Sequence, residues 1–230
     1  MNFRQSFILW SLCGSALYAS YPVQEQNLDN IYHYFEYLTP RDCDIGEHMP
    51  IIRRLAQECP HVTEIGLGWV ISTWGLLKGL SENPAATRQY TGIDIVHPCL
   101  EHMDLARREA EKEGIIFNFR QGNDLYLQIE PTDLLFIDSM HTYCHLTHEL
   151  ETFSPYVRKY IAMHDTSEPW GDRDDGEYVG NYSEYPSHYN REKRGLWPAV
   201  VDFLKTHPEW VLSERRLNCH GFTVLKRISP

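Results

Sequence analysis

The 230-residue chain lacks an excess of positive charge: 21 Lys and Arg stand against 32 Asp and Glu, a formal net charge of -11. Nonspecific nucleic-acid binding depends on clustered cations that neutralise phosphates. The nearest basic cluster, Arg191 to Arg194, is interrupted by Glu192, so no nucleic-acid partner is expected. The six cysteines are scattered, with no Cys-x-x-Cys pair, which argues against cysteine-held zinc and against thiol redox chemistry. Cys43 and Cys59 could approach each other, but the spacing sets no disulfide framework, and mostly buried thiols are expected. No apolar run reaches the roughly 20 residues of a comfortable transmembrane helix, so no stable membrane span is expected. There is no internal repeat. What remains is a folded composition, 42% hydrophobic and 13% aromatic, at a length that suits one α/β domain with a sizeable core.

The first 19 residues read as a signal-like segment. Arg4 precedes an uncharged, mostly apolar run over residues 7–19, which ends in small residues before Tyr21-Pro22, with a cut expected after Ala19. An ordinary amphipathic N-terminal helix is the alternative. Residues 20–60 are expected to form a helical cap. Within it, Leu28, Ile31, Tyr32, Phe35 and Leu38 share one helical face, and Ile51, Ile52 and Leu55 share another after Pro50 in a first turn.

Residues 61–230 then alternate. Strands are expected over 61–66, 89–95, 115–121, 134–138 and 160–164, and helices over 72–80, 98–113 and 142–157. Such alternation argues for a parallel sheet with helices on both faces. Two closing strands, 210–215 and 222–227, read as a hairpin around Asn218 to Gly221. Between them and the fifth strand, residues 167–194 have no periodicity and are rich in Asp, Glu, Gly, Tyr and Pro. A loop this long is functional or disordered. It leaves from a strand carboxyl end, where parallel sheets bind ligands, so it reads either as a substrate lid lined by Tyr178, Tyr182, Tyr185 and Tyr189 or as a solvated insertion. The sequon at Asn181 matters only in a eukaryotic secretory pathway.

Residues 62–72, Val-Thr-Glu-Ile-Gly-Leu-Gly-Trp-Val-Ile-Ser, run from a strand through a glycine turn into a helix. The third glycine of a dinucleotide fingerprint is absent. Glu64 precedes the first glycine, where a carboxylate repels phosphate but pairs with a cationic amino-acid ligand. This stretch resembles motif I of the class I S-adenosylmethionine-dependent methyltransferases. In order along the chain, Asp94 ends a second strand, Gln121-Gly122-Asn123-Asp124 follows the third, Asp138-Ser-Met-His141 the fourth, and His164-Asp165-Thr166 the fifth. These motifs, with the tail from Gly195 to Leu225, are similar to a subgroup that includes the family 24 and cephalosporin hydroxylase-like methyltransferases, which commonly has a glycine where this chain has Val70.

The resemblance implies a Rossmann-like methyltransferase fold with a seven-stranded, mostly parallel sheet and a C-terminal antiparallel hairpin. It implies S-adenosyl-L-methionine as cofactor, held by Glu64, Gly66, Gly68, Ser72, Asp94, Asn123 and Asp124. Asp94 would serve the ribose hydroxyls, the stretch at Asn123 the adenine, and Glu64 and Asp94 would project into one cleft. In catechol-type O-methyltransferases a divalent cation sits on an Asp after the fourth strand and an Asp-Asn pair after the fifth, with a lysine three residues beyond the first Asp. Asp138 and Asp165 match the ligands, His164-Asp165 replaces Asp-Asn, and His141 takes the lysine position. A metal set of Asp138, Asp165 and His164 follows, holding Mg²⁺ or, with imidazole present, Mn²⁺, Fe²⁺ or Zn²⁺. His141 and Asp138 would be catalytic, with neutral His141 accepting the hydroxyl proton near pH 7. His145 and His148 read as solvated or core-edge histidines facing away from the strand end.

O-methylation of a small hydroxylated metabolite is therefore expected. A metal-dependent hydrolase or oxygenase built on Asp138, His141 and His164, and a catalytically silent methyltransferase-like binding domain, are the alternatives. The signal-like leader points to export or membrane association, whereas the supply of S-adenosylmethionine points to the cytoplasm. The sequence carries no signal for oligomeric state.

Overall fold

The computed structural model of the chain describes residues 28–39, 45–176 and 182–229. The signal-like segment, Cys13, Cys43, Tyr178 and Asn181 lie outside them. Helix α1 (Ile31–Leu38) starts at Asn30, whose side-chain oxygen accepts from the His33 N–H, and it buries Ile31 and Phe35 one turn apart. Helix α2 (Met49–Gln57) carries Pro50 in its first turn and buries Met49, Ile52, Leu55 and Ala56. There follow β1 (His61–Ile65), α3 (Ile71–Glu82), β2 (Arg88–Asp94), α4 (Leu100–Lys112) and β3 (Ile115–Gln121). Then come β4 (Thr132–Ile137), α5 (Tyr143–Phe153), β5 (Val157–His164), α6 (Leu196–Thr206), β6 (Trp210–Arg216) and β7 (Phe222–Arg227).

The seven strands form one sheet in the order β3-β2-β1-β4-β5-β7-β6. β1 to β5 are parallel, and β7 runs antiparallel to both β5 and β6. This is the Rossmann-like methyltransferase fold with its closing antiparallel hairpin. One sheet face buries Val62, Tyr90, Leu134 and Phe136 under α1 to α4. The other buries Ile65, Leu135, Ile137 and Ile161 under α5 and α6. Each fully buried side chain of this size contributes about 1.5–3 kcal/mol. Among the described residues, no helix is long and apolar enough to cross a membrane.

Three details differ from the expected elements. β5 begins at Val157 because that residue already pairs with Thr132 of β4, and α5 stops at Phe153, ahead of a 3-10 turn that holds Pro155. Helix α6 is additional. Helices do lie on both faces, but only a 3-10 turn, Asp124–Tyr126, links β3 to β4. The sheet face of Gln89, Thr91, Asn118 and Arg120 is left partly open and, with buried Thr63, lines a groove of about 590 Å³. That groove contains none of the expected site residues.

The turn after β1 is knitted into the sheet: the Gly66 N–H donates to the Ile93 carbonyl and the Asp138 N–H to that of Ile65, both at 2.9 Å. Gly66 has φ +80°, and a Cβ there would stand 2.0 Å from the Asp138 carbonyl oxygen; Gly68 has φ +47° with open space around it. Gly66→Ala is therefore expected to cost roughly 3 kcal/mol or more, and Gly68→Ala only the left-handed penalty of about 1–2 kcal/mol. Urea unfolding of the two variants checks the difference; equal losses would contradict it.

Candidate functional site

Side-chain alternation along the paired strands puts several acids on one sheet face. Glu64 lies opposite Gly92 of β2 and Phe136 of β4, and Phe136 lies opposite Ala162 of β5. Two residues further along these strands come Asp94, Asp138 and His164, so all three reach the carboxyl edge on the same side.

Glu64 itself differs from the expected ligand-facing carboxylate. It is fully buried. The hydroxyls of Ser72 and Tyr90 donate to it, and Thr73 Oγ1 donates to Oε2 at 2.7 Å. Burial lifts its pKa to about 7 against the pull of these three hydroxyls. Ser72 is consequently turned to Glu64 and not to a ligand. Asp94 fastens the same turn from the other side: Oδ2 accepts from the N–H groups of Leu67 at 2.9 Å and Gly68 at 3.3 Å, and Oδ1 from Val96 at 3.0 Å. The two acids grip one turn but share no open cleft. Trp69 is 49% exposed, while Val70 is buried with φ +67° at the start of α3. That left-handed conformation is unusual for a β-branched residue and explains why a glycine suits the position. Past β3, Asn123 Oδ1 accepts from the Leu125 N–H and Asp124 Oδ2 lies 2.7 Å from His145 Nε2. Both side chains are thereby held by the scaffold.

The structure does bring Asp138, His141, His164 and Asp165 together. His141 Nε2 is 2.8 Å from Asp165 Oδ2 and 3.7 Å from Asp138 Oδ1. His164 Nδ1 is 3.6 Å from Asp138 Oδ2 and 3.4 Å from Asp165 Oδ2. On its far side, His164 Nε2 is 3.0 Å from the Cys219 carbonyl. A carbonyl can only accept, so Nε2 carries the proton and Nδ1 faces the carboxylates. Asp165 has φ +58°, a strained left-handed backbone at the end of β5.

The electrostatics follow from burial opposed by charge. Burial alone would lower the pKa of His141, but the hydrogen bonds and charges of Asp138 and Asp165 outweigh it and carry the imidazole to about 10. His164 is driven the same way, well above its usual value, by the same two carboxylates. Asp165, despite its own burial, is held far below the usual carboxylate range by the two histidines. His141 beside two bare carboxylates is thus an imidazolium, not the neutral base expected from the sequence.

The donor set suits a divalent cation. Ligand atoms of Asp138, His141 and Asp165 lie within 4.8 Å of one another, and His164 flanks the same carboxylates. Asp165 Oδ1 is buried without a hydrogen-bond partner and keeps lone pairs for a metal. His164 Nδ1, which faces the two carboxylates, becomes a donor to a metal once its proton is lost.

Residues that sequence spacing missed close the site. Trp170 stacks on His141 with ring centroids 5.6 Å apart, and the Asp175 N–H donates to the His141 carbonyl at 2.9 Å. His48, from the turn before α2, sits 5.6 Å from the His164 ring and donates from Nε2 to the Asn218 carbonyl. Only the fold juxtaposes residues 48 and 164, so spacing carries no signal for them. The loop after β5 is packed down in its described parts. Asp174 Oδ1 accepts from the N–H groups of Tyr143 and Gly195, and Tyr182, Tyr185 and Tyr189 pack against the core under α5 and α6. His145, expected at a solvated or core-edge position, is buried. Helix α5 turns it inward toward Asp124, while His148 meets the rings of Tyr185 and Tyr189.

Neither a comparison with protein-family models nor one with curated proteins yields a match. Among solved structures, the chain is similar to an O-methyltransferase from Bacillus cereus in complex with SAH, with 15% identity, TM-score 0.54, and coverage of 89% of this chain and 93% of that one. It is likewise similar to the O-methyltransferase TomG from Streptomyces achromogenes, involved in tomaymycin synthesis and in complex with SAM, with 12% identity, TM-score 0.52, and coverage of 94% and 96%. At these identities the likeness establishes the fold.

The raised pKa of His141 fixes a sign for stability. The folded chain keeps a proton that the unfolded chain, with its ordinary value near 6.5, releases. This stabilisation is complete below about pH 6.5 and is lost as pH rises through about 10. Metal-free protein is expected to lose at least about 1 kcal/mol between pH 7.5 and 10, with a smaller loss in His141→Gln. Urea unfolding across that range checks it; a stability that rises with pH would contradict it.

Proposed function

We propose that the chain is an S-adenosylmethionine-dependent O-methyltransferase that acts on a small hydroxylated molecule, with a divalent cation held by Asp138, Asp165 and His164. The observation that carries this reading is the partly buried carboxylate–imidazole cluster at the carboxyl ends of β4 and β5, on a methyltransferase fold, with Asp165 Oδ1 buried and unpartnered. When bound, the cofactor supplies an electrophilic methyl group and the cation a Lewis acid for the acceptor oxygen.

The chain's own residues supply the rest. The turn at Gly66 and Gly68 brings backbone, free of Cβ atoms, to the carboxyl edge of β1. Asp94 presents its carboxylate beside that turn for the ribose hydroxyls, and Glu64 keeps the turn rigid from beneath. His141 manages the acceptor proton. While Asp138 and Asp165 stand beside it with full negative charge, it holds a proton of its own. Neutralising those carboxylates lowers that affinity and leaves Nε2 able to receive one. Trp170, stacked on the ring, fixes its plane and keeps water off that face. Export after Ala19 is a separate proposal, tested by N-terminal sequencing of protein from its native source.

The enclosed Glu64 and the buried Val70 favour one other reading, a methyltransferase-like binding domain without turnover. Calorimetric titration with S-adenosylmethionine, combined with a mass-spectrometric assay for methylated product, separates the two. Asp94→Ala is expected to weaken cofactor binding by about 10- to 100-fold, the worth of hydrogen bonds to a charged group. Asp138→Asn and His141→Gln should retain the affinity and lose turnover by about 100-fold or more. Binding unchanged by Asp94→Ala would remove the assigned cofactor site, and binding without product in the native protein would favour the silent domain.

A further inference from the structure

A second cluster adjoins the Asp138 site without sharing a residue with it: Glu149, from the second, lines one small cavity with Asp138, His141 and His164. Asp124 opens the 3-10 turn after β3, and His145 and Glu149 sit four residues apart on α5, on one helical face. One ligand atom from each lies within 4.8 Å of the others, and all three residues are buried. His145 Nε2 is 2.7 Å from Asp124 Oδ2 and 3.9 Å from Glu149 Oε1.

The surroundings are arranged as a metal's outer shell usually is. The Tyr185 hydroxyl stands 3.0 Å from His145 Nδ1 and itself donates toward Met140 Sδ at 3.8 Å. Tyr185 can therefore accept a hydrogen bond from Nδ1–H, while Nε2 donates to Asp124 in the metal-free chain. A cation replacing that Nε2 proton would meet the Nε2 lone pair between the two carboxylates. Ser139 Oγ donates to Glu149 Oε1 at 2.7 Å. Glu149 Oε2 is buried without a hydrogen-bond partner, and its side chain faces a second carboxylate, Asp124, as well as the His145 ring. Two enclosed carboxylates in contact, one with an atom left unsatisfied, call for a positive charge between them.

We propose that Asp124, His145 and Glu149 form a second cation site, for a divalent transition metal of the Zn²⁺ type. One imidazole and two carboxylate oxygens match the mixed N/O preference of such ions and differ from the all-oxygen cages of Mg²⁺ and Ca²⁺. The site is structural. Through His145 and Tyr185 it ties the loop after β5 to α5, and through Asp124 to the turn after β3. It does not depend on the methyl-transfer reading, and failure of either leaves the other standing.

The test uses the full chain, stripped with a chelator and dialysed against Zn²⁺. Metal per chain is read by elemental mass spectrometry and stability by thermal unfolding. In Asp138→Asn/Asp165→Asn, which removes the first cluster, about one Zn²⁺ per chain is expected to remain and to raise the melting temperature. Adding Glu149→Gln, which keeps the shape and the Ser139 contact, should weaken that binding by at least about 10-fold and abolish the rise. If the double variant does not fold, Glu149→Gln in the wild-type chain should lower bound Zn²⁺ by one per chain. The proposal is overturned if the double variant folds and binds no Zn²⁺, in which case a shared proton holds the two acids together. It is equally overturned if Glu149→Gln leaves stoichiometry and affinity unchanged.

Discussion

Two imidazoles wedged between two carboxylates, at the ends of β4 and β5, set the conditions for everything around them. Opposite charges at the separations seen here attract with roughly 4.5–6 kcal/mol per pair at an effective dielectric of about 20, while each ion gives up several kcal/mol of hydration on burial. The cluster is tolerable only when its charges cancel. Asp138 and Asp165 balance against imidazolium at His141 and His164. They would balance equally against one divalent cation with both rings neutral. Binding of such a cation would therefore release the proton held at His141. The strained backbone of Asp165 and the Trp170 ring stacked on His141 are the structural costs of holding that balance.

The turn after β1 depends on the same edge of the sheet. Gly66 passes so close to Asp138 that the turn and the cluster share backbone contacts, and a side chain at residue 66 would disturb both. Glu64 and Asp94, the two acids flanking the turn, spend their hydrogen bonds on keeping it in place. A carboxylate buried under three hydroxyls makes a rigid turn, so any ligand seated there meets a preformed surface and pays little ordering entropy.

Much of the fold was legible because the alternation of apolar strands and amphipathic helices is written in local periodicity. The parallel sheet, the closing hairpin at Asn218 to Gly221 and the meeting of Asp138 with Asp165 all follow from that pattern. What spacing does not carry is direction. Glu64 lies at the strand end a motif assigns to a ligand, yet Ser72, Thr73 and Tyr90, from α3 and β2, fold over it. His145 reads as solvated or core-edge from helix phase alone, because the turn that presents Asp124 to it comes from a different crossover. His48 and Trp170 were illegible for the same reason: each reaches the cluster from a segment whose path only the assembled sheet defines. The missing helix between β3 and β4 was a legible absence, since residues 122–131 are too short and too irregular to hold one.

On the proposed reading, the carboxylates at residues 138 and 165 and the imidazole at 164 hold a cation. Crystals soaked in Mn²⁺ and measured for anomalous scattering test it most directly. An anomalous peak bonded to Asp138, Asp165 and His164 Nδ1 is expected, with His141 displaced from its contact with Asp165 Oδ2. A map without a peak among these residues, with both histidines still paired to the two carboxylates, would contradict it.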